Sequence, residues 1–451
     1  MKFLRLKHGK EGFIKLVEVL FSILFSEEYI QCKVGVLFPM EAEESRVAML
    51  TLLTVADIEG KGRGMVASQS LQAGQIILQE SPVLIYSAFP LKQPPLQAAT
   101  SSSFQYCAHC FRNLVGENGG GGSVAVTCPS CSHPHDTIFC SPKCHSLALA
   151  STHTPWVCQS LNHLRNCPSL VADQADERQV QARFLVAAYN LAMVSPSNFQ
   201  TLLSLDGGMP LNSEEDTAAI LYLNSLISGL PLPEGISAPS LQLTAALLAK
   251  DKRNAFGLME PFSQNRERSV RAYAIYPNAS FFNHDCLPNA CRFDYLDTAI
   301  DGNTDITVRM IHNVPQGREI CLSYFPVNLG YSERQQRLLD DYGFGCLCDR
   351  CKVEANWSNK DDDDDEGEAM EEEDDEEMGM SAGLDEEETE IELGGDDNFP
   401  HAYFFLSYMC DRNDCGGTLA PLPPSCSGGS NVMECNVCGH LKSEEEMKCE
   451  S

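Results

Sequence analysis

No apolar run in this sequence is long enough to cross a membrane. The apolar stretch near the start, Phe13 to Phe25, has 13 residues and is broken by Lys15 and Glu18, whereas a bilayer core demands roughly 20. The basic segment Met1 to Lys10 gives it a faint likeness to a signal peptide, but no clear small-residue cleavage site follows. A short amphipathic helix, or residues outside the folded unit, is the expectation. Basic residues are also scarce, 32 against 63 acidic ones. That balance supplies no basic face, so no direct nucleic-acid binding is expected. Between Asp361 and Asp397 basic residues vanish and 22 are acidic, so removing this block leaves −9 of the formal charge of −31. Such a block repels itself and buries no apolar area, which reads as a solvated, disordered linker, with docking of a basic partner as the alternative. Internal repeats are absent too.

What the sequence does have is cysteine. Fifteen of its 21 cysteines fall into spaced groups. Cys-x2-Cys and Cys-x-Cys spacings with an accompanying histidine suit metal ligation by thiolates in a reducing interior better than a disulfide framework. Nuclear or cytoplasmic placement follows. With 451 residues, 43% of them apolar, the chain is globular and holds roughly two to four units of about 100–200 residues each.

Organised sequence begins near Leu50. Leu52 to Val55 and Gln75 to Leu84 read as strands around the glycine-rich turn Gly60-Lys61-Gly62-Arg63-Gly64. A Pro/Ser-rich connector, Pro90 to Ser103, leads into a Cys/His segment with little apolar content. Val180, Phe184, Ala187, Ala188 and Leu191 then recur at helical spacing up to Pro196, and Leu241 to Lys250 is a second helix. Strands return from Val270 to Tyr324, where Ile306, Val308 and Met310 share a face. Ser332-Glu333-Arg334-Gln335 has capping-box spacing and opens a helix through Asp341, with Gly343 placed to end it.

The first cysteine group is Cys107-x2-Cys110, Cys128-x2-Cys131, Cys140-x3-Cys144 and His153-x4-Cys158. Eight ligands at four per tetrahedral zinc imply two ions. The order resembles a MYND finger, and that resemblance implies interleaved sites: Cys107, Cys110, Cys140 and Cys144 in one, Cys128, Cys131, His153 and Cys158 in the other. His145 rivals His153, because the usual final spacing is His-x3-Cys. His109, His133 and His135 read as exposed loop histidines. Cys346-x-Cys348-x2-Cys351 supplies three thiolates and needs a fourth ligand; Cys286 is the candidate, an ordinary buried thiol its alternative. Cys410-x4-Cys415 with Cys435-x2-Cys438 looks like a zinc ribbon. Cys32, Cys167, Cys291, Cys321, Cys426 and Cys449 read as free thiols.

Asn283-His284-x-Cys286-x-Pro288-Asn289, followed by Gly317-Arg318-Glu319-Ile320 and Ser323-Tyr324, resembles the SET-domain lysine methyltransferases. With the finger inserted after the first strands and the cysteine knuckle behind the tyrosine, the chain is similar to the SET-and-MYND (SMYD-like) family, and within it to the plant ASHR-type members. The resemblance implies an α+β, beta-rich SET fold with an inserted MYND zinc finger, a helical insert and a C-terminal zinc-bearing segment. It also implies S-adenosylmethionine and zinc as cofactors, and a lysine of a histone or other protein as methyl acceptor. Tyr324 matches the catalytic tyrosine beside the transferring methyl. Gly62, Arg63, Gly64, Asn254, Asn283, His284, Tyr324 and Phe344 match cofactor-side positions, although a capping role for Asn254 and a core position for Phe344 stay open. Asp285 stands where the family usually has serine, and Arg318 where it often has an acid.

The expected boundaries are an extension at 1–49, the first SET part at 50–103, the finger at 104–160, the helical insert at 161–250, the SET catalytic core at 251–326, the zinc knuckle at 327–353, the acidic linker at 354–398 and the zinc-ribbon segment at 399–451. The finger serves either as a structural staple or as a peptide-binding module. The alternative to an enzyme is a zinc-dependent interaction module whose SET fold has lost turnover.

Overall fold

The computed structural model describes residues 52–91, 106–114, 125–131, 137–208, 213–232, 238–263, 268–299, 301–361, 401–424 and 429–443. The expectations for residues 1–49, most of the Pro/Ser-rich connector, His133, His135, the acidic run beyond Asp361, Cys32, Cys426 and Cys449 lie outside those residues.

Strands β1 (Leu53–Ile58) and β2 (Gly62–Ala67) form an antiparallel hairpin. The turn between them needs glycine at Gly60 and Gly62, whose φ angles are +75° and +77° and would strain any residue bearing a Cβ. The hairpin leads into a four-stranded sheet in which β2 pairs with β12 (Glu319–Leu322), and β12 pairs in parallel with the short β9 (Asn283–His284). Residues more than 200 positions apart thus share one sheet. A second sheet has the order β10 (Ala290–Asp294), β11 (Ile306–Met310), β3 (Ile76–Glu80), and a third has β4 (Leu84–Ser87), β8 (Val270–Ile275), β7 (Ala255–Met259). Side chains alternate across a strand. Leu84, Tyr86 and Ile275 of the third sheet therefore enter a helical core, while Leu258, Ala272 and Ala274 enter the core shared by the sheets.

The finger carries the two-residue strands β5 (Val126–Thr127) and β6 (Ile138–Phe139), then helix α1 (Pro142–Ala150). Helices α2 (Pro155–Arg165), α3 (Asp176–Val194), α4 (Pro196–Ser204), α5 (Glu214–Ser228) and α6 (Leu241–Asn254) follow. Pro196 opens α4 rather than merely closing α3, since a proline at the first helical position loses no hydrogen bond. Gln75 to Leu84 proves to be two strands, broken where Pro82 lacks a backbone donor.

Helix α7 (Tyr331–Arg337) passes into a π-helical turn, Leu338–Tyr342, and Gly343 ends it in the left-handed conformation. The capping box does not form. Gly330 is the N-cap, Ser332 lies inside the helix, and the Gln335 amide instead holds the backbone N–H and C=O of Cys346. Helix α8 (Asp349–Asp361) continues from the knuckle; helix α9 (Ala402–Tyr408) precedes the ribbon strands β13 (Leu419–Pro421), β14 (Val432–Cys435) and β15 (Leu441–Ser443). This ribbon covers the polar face of β11, so all five residues of that strand are buried, not only Ile306, Val308 and Met310. Arg309 reaches Glu434 at 2.9 Å and stacks over Phe293.

The finger is docked by a buried arginine. Arg271, with no exposed surface, donates to both Glu260 oxygens at 2.9–3.0 Å, to both Asp297 oxygens at 2.8–2.9 Å and to the Phe111 carbonyl, beneath the Tyr106 ring. Removing one member of such a pair leaves an uncompensated buried charge. Arg271→Met is expected to lower unfolding stability by about 3–5 kcal/mol, read from chemical denaturation.

Candidate active site and metal centres

Four cysteine-rich groups come together, each with its ligand atoms within 4.8 Å of one another. They are Cys107, Cys110, Cys140 and Cys144; Cys128, Cys131, His153 and Cys158; Cys286, Cys346, Cys348 and Cys351; and Cys410, Cys415, Cys435 and Cys438. Sulfur–sulfur separations within them include 3.3 and 3.7 Å in the first group, 3.3 and 3.9 Å in the second, 3.5 and 3.9 Å in the third, and 3.6 and 3.7 Å in the fourth. A tetrahedron with Zn–S bonds of about 2.3 Å has edges of about 3.8 Å, whereas a disulfide would bring the sulfurs to about 2.05 Å. The donor sets could therefore hold zinc. Metal analysis of the purified chain should find four ions, and two or fewer would overturn the grouping.

Two pairs of alternatives stand as follows in the structure. His153 faces the second group, with Nε2 at 3.4 Å from Cys131 Sγ, while His145 packs its ring on Phe139. Cys286 faces the knuckle, buried, instead of standing as an isolated thiol. Cys167, Cys291 and Cys321 are free. His109 departs from expectation: it is half-buried and bonded to Thr152 Oγ1 at 3.1 Å, because it is part of the packed finger rather than an open loop.

Beside the knuckle lies a polar and aromatic cluster. Parallel pairing of β9 with β12 sets Asn283 against Cys321 and His284 against Leu322, just before Tyr324. The Tyr324 hydroxyl donates to the Phe282 carbonyl at 3.0 Å, and its N–H donates to His284 Nδ1 at 3.2 Å. Burial pushes the Tyr324 phenol well above its usual range and the His284 imidazole down to about 3. Both are thus neutral at physiological pH. The Tyr342 ring lies 4.7 Å from that of Tyr324, and Phe344 follows at 6.2 Å from Tyr342.

Gly64 admits this arrangement by having no side chain. A Cβ there would stand 2.7 Å from Asn283 Nδ2 and 2.8 Å from Ile58 Cγ1. Arg63 points its guanidinium over Phe281 and donates to the Ser204 carbonyl, tying the glycine turn to the helical insert.

A family model described as the SET domain matches residues 62–325, more than half of the chain. The chain belongs to the SET-domain family. It is 57% identical to "Histone-lysine N-methyltransferase ASHR2" of Arabidopsis thaliana over 407 residues, covering 88% of this chain and 96% of that protein. "Potential protein lysine methyltransferase SET6" of Saccharomyces cerevisiae is 32% identical over 26% of this chain and 29% of its own. A SET and MYND domain-containing protein of Dictyostelium discoideum is 29% identical over 24% of this chain and 20% of its own. A crystal structure of the SET domain of LSMT bound to lysine and AdoHcy covers 68% of this chain and 58% of that one, at 14% identity and a TM-score of 0.29.

Two expected cofactor-side residues sit differently from the rest. Asn254 ends α6 and spends both amide hydrogens on the carbonyls of Asp206 and Lys250, at 2.7 and 2.8 Å, so its side chain anchors that helix end. Phe344 is 39% exposed, which excludes the core position.

Two residues of the site were missed from the sequence. Glu319 accepts from Asn283 Nδ2 at 2.9 Å and from Lys61 Nζ at 2.8 Å, joining the glycine turn to the Asn283-His284 motif. The only signal was its place in Gly317-Arg318-Glu319-Ile320. Arg334, fully buried, donates to Cys286 Sγ at 3.2 Å, Cys351 Sγ at 3.6 Å and Glu354 at 2.6 Å. Nothing local distinguishes it from a surface helix arginine.

Proposed function

We propose that this SET-family chain is a protein-lysine N-methyltransferase that uses S-adenosylmethionine and acts on a lysine of a histone or another protein. The observation that carries the reading is the meeting of Tyr324, Asn283 and His284 around the β9–β12 pair. The near-full-length similarity to the plant relative supports it. Bound S-adenosylmethionine supplies an electrophilic methyl group on sulfur. The chain's own residues do the rest. Gly62, Arg63, Gly64, Asn283 and the backbone of His284 are proposed to hold the cofactor, with Asn254 and Phe344 at its margin. Tyr324, its hydroxyl proton engaged by the Phe282 carbonyl, turns lone pairs rather than a proton toward the remaining space. The neutral phenol is suited to orient an amine and not to act as a strong base.

The acceptor lysine must be neutral to react, and its unperturbed pKa is about 10.4. Desolvation among Tyr324, Tyr342 and Phe344 favours that form. Positioning then supplies much of the rate, because alignment of attacking and leaving atoms replaces a bimolecular search.

The proposed architecture has a MYND-type finger at 104–160, the helical insert at 161–250, SET parts at 50–103 and 251–326, a zinc knuckle at 327–353 and a zinc ribbon at 399–451. Zinc in all four groups, a peptide ligand for the finger, and nuclear or cytoplasmic residence complete it. Among the described residues, no helix is long and apolar enough to cross a membrane. The test is incubation of the purified chain with labelled S-adenosylmethionine and histones or cell lysate. Label on a lysine is expected; absence of both label and cofactor binding would favour the interaction module.

A further inference from the structure

The His284 imidazole is only 4% exposed and both of its nitrogens are engaged inside the protein. Nδ1 receives the backbone N–H of Tyr324 at 3.2 Å. A backbone amide can only donate, so Nδ1 carries no proton, and in a neutral ring the proton must sit on Nε2. Nε2 lies 3.2 Å from Cys286 Sγ. The same sulfur receives the Nε–H of Arg334 at 3.2 Å. The rings of Tyr324 and Phe325 pack against His284 at 5.2 and 4.7 Å between centroids. No polar atom of the side chain is left for a ligand.

We infer that the His284 side chain is a positioning link between the Cys286 sulfur of the knuckle and the backbone of Tyr324, and does not itself contact the cofactor. Its kinetic consequence rests on the proposed methyl transfer; the link itself does not. A knuckle holding zinc on four thiolates would carry excess negative charge, which donors to sulfur offset, and partners of this kind fix the orientation of the ligands. Here the effect also runs outward. Accepting the Tyr324 N–H at Nδ1 fixes the Nε2–H tautomer, that tautomer turns its N–H toward Cys286 Sγ, and the accepted N–H belongs to the residue whose hydroxyl faces the reaction. A displacement of the Cys286 sulfur would thereby be transmitted to Tyr324 through one ring.

Two variants separate this role from cofactor binding. Glutamine can accept through its oxygen and donate through its nitrogen, whereas phenylalanine can do neither. His284→Phe should lower kcat by about 10- to 100-fold through misplacement of Tyr324. Its affinity for S-adenosylhomocysteine, read by calorimetry, should stay within about threefold of the wild type. The variant should also lose knuckle zinc to a chelator more readily, by about 10- to 100-fold in metal affinity, and His284→Gln should recover part of each loss. Cofactor affinity falling in step with kcat would overturn the inference, as would unchanged kcat and zinc retention. Long-range 1H–15N spectra of the zinc-loaded wild type decide the matter even if neither variant folds. An Nε2–H tautomer is expected, and an Nδ1–H tautomer would refute the link. Absence of methyl transfer by the wild type would count against the proposed function alone, since tautomer and zinc retention are read without turnover.

Discussion

Cys348→Ser is expected to abolish methyl transfer although Cys348 touches no proposed reacting group. Four ligands meet in the knuckle, and they come from two places: Cys286 just beyond β9, and Cys346, Cys348 and Cys351 behind Tyr324. A metal held there would close a loop of about 60 residues through these points. Structural zinc sites can contribute about 10–16 kcal/mol in isolated finger peptides, so three remaining thiolates hold the ion far less well. With the clasp open, Tyr342 and Phe344 lose their fixed place beside Tyr324, and Cys286 no longer has a defined position against His284. Metal analysis should count three zinc ions in the variant instead of four. Cys167→Ser offers a control, because that thiol belongs to none of the four groups. Full activity in Cys348→Ser would refute the clasp.

Tyr324→Phe is expected to reduce kcat by about 10²–10³-fold, the usual cost of losing one preorganised polar group at a reacting centre. Cofactor affinity should change little, because the Tyr324 hydroxyl bonds within the protein to the Phe282 carbonyl. The ring is retained, so packing against Tyr342 and His284 survives. The pH dependence gives a second readout. The rate should rise with pH as the acceptor lysine loses its proton, whose unperturbed pKa is about 10.4. Burial holds the Tyr324 phenol above its usual range, so the neutral form persists through pH 10 and its ionisation should add no inflection below that point. A break near pH 10 in the wild type that is missing from Tyr324→Phe would contradict this. Equal label transfer by the two proteins would remove Tyr324 from the catalytic role.

Much of the metal arrangement is legible locally. Cys-x2-Cys brings two sulfurs within reach of one ion whatever the surrounding fold, and fourteen cysteines at close spacings leave few ways of grouping them. Where two histidines competed, spacing could not choose. His145 on α1 packs against Phe139, and His153 beyond the helix end turns to the sulfurs. The capping-box pattern at Ser332 misled because Gln335 has a better use for its amide, holding both backbone groups of Cys346 where the chain turns into the knuckle. The alternation in β11 marked the apolar face correctly but said nothing of the other, which the C-terminal ribbon buries with Arg309.

The sequence by itself determined the chemistry at hand: closely spaced cysteines, the Asn283-His284 and Ser323-Tyr324 motifs, and glycines in a turn that requires positive φ. These are local properties, dictated by residue type and by spacings short enough for the backbone to enforce. Only the tertiary structure decided which distant groups meet. Cys286 meets Cys346, Cys348 and Cys351 because β9 pairs with β12 and α7 turns the chain back. Arg271 and Arg334 sit where they do because a buried charge is tolerable only beside its partners, and Glu319 is brought to Asn283 by the pairing of distant strands. Those partners are set by how strands and helices pack over separations that no local pattern encodes.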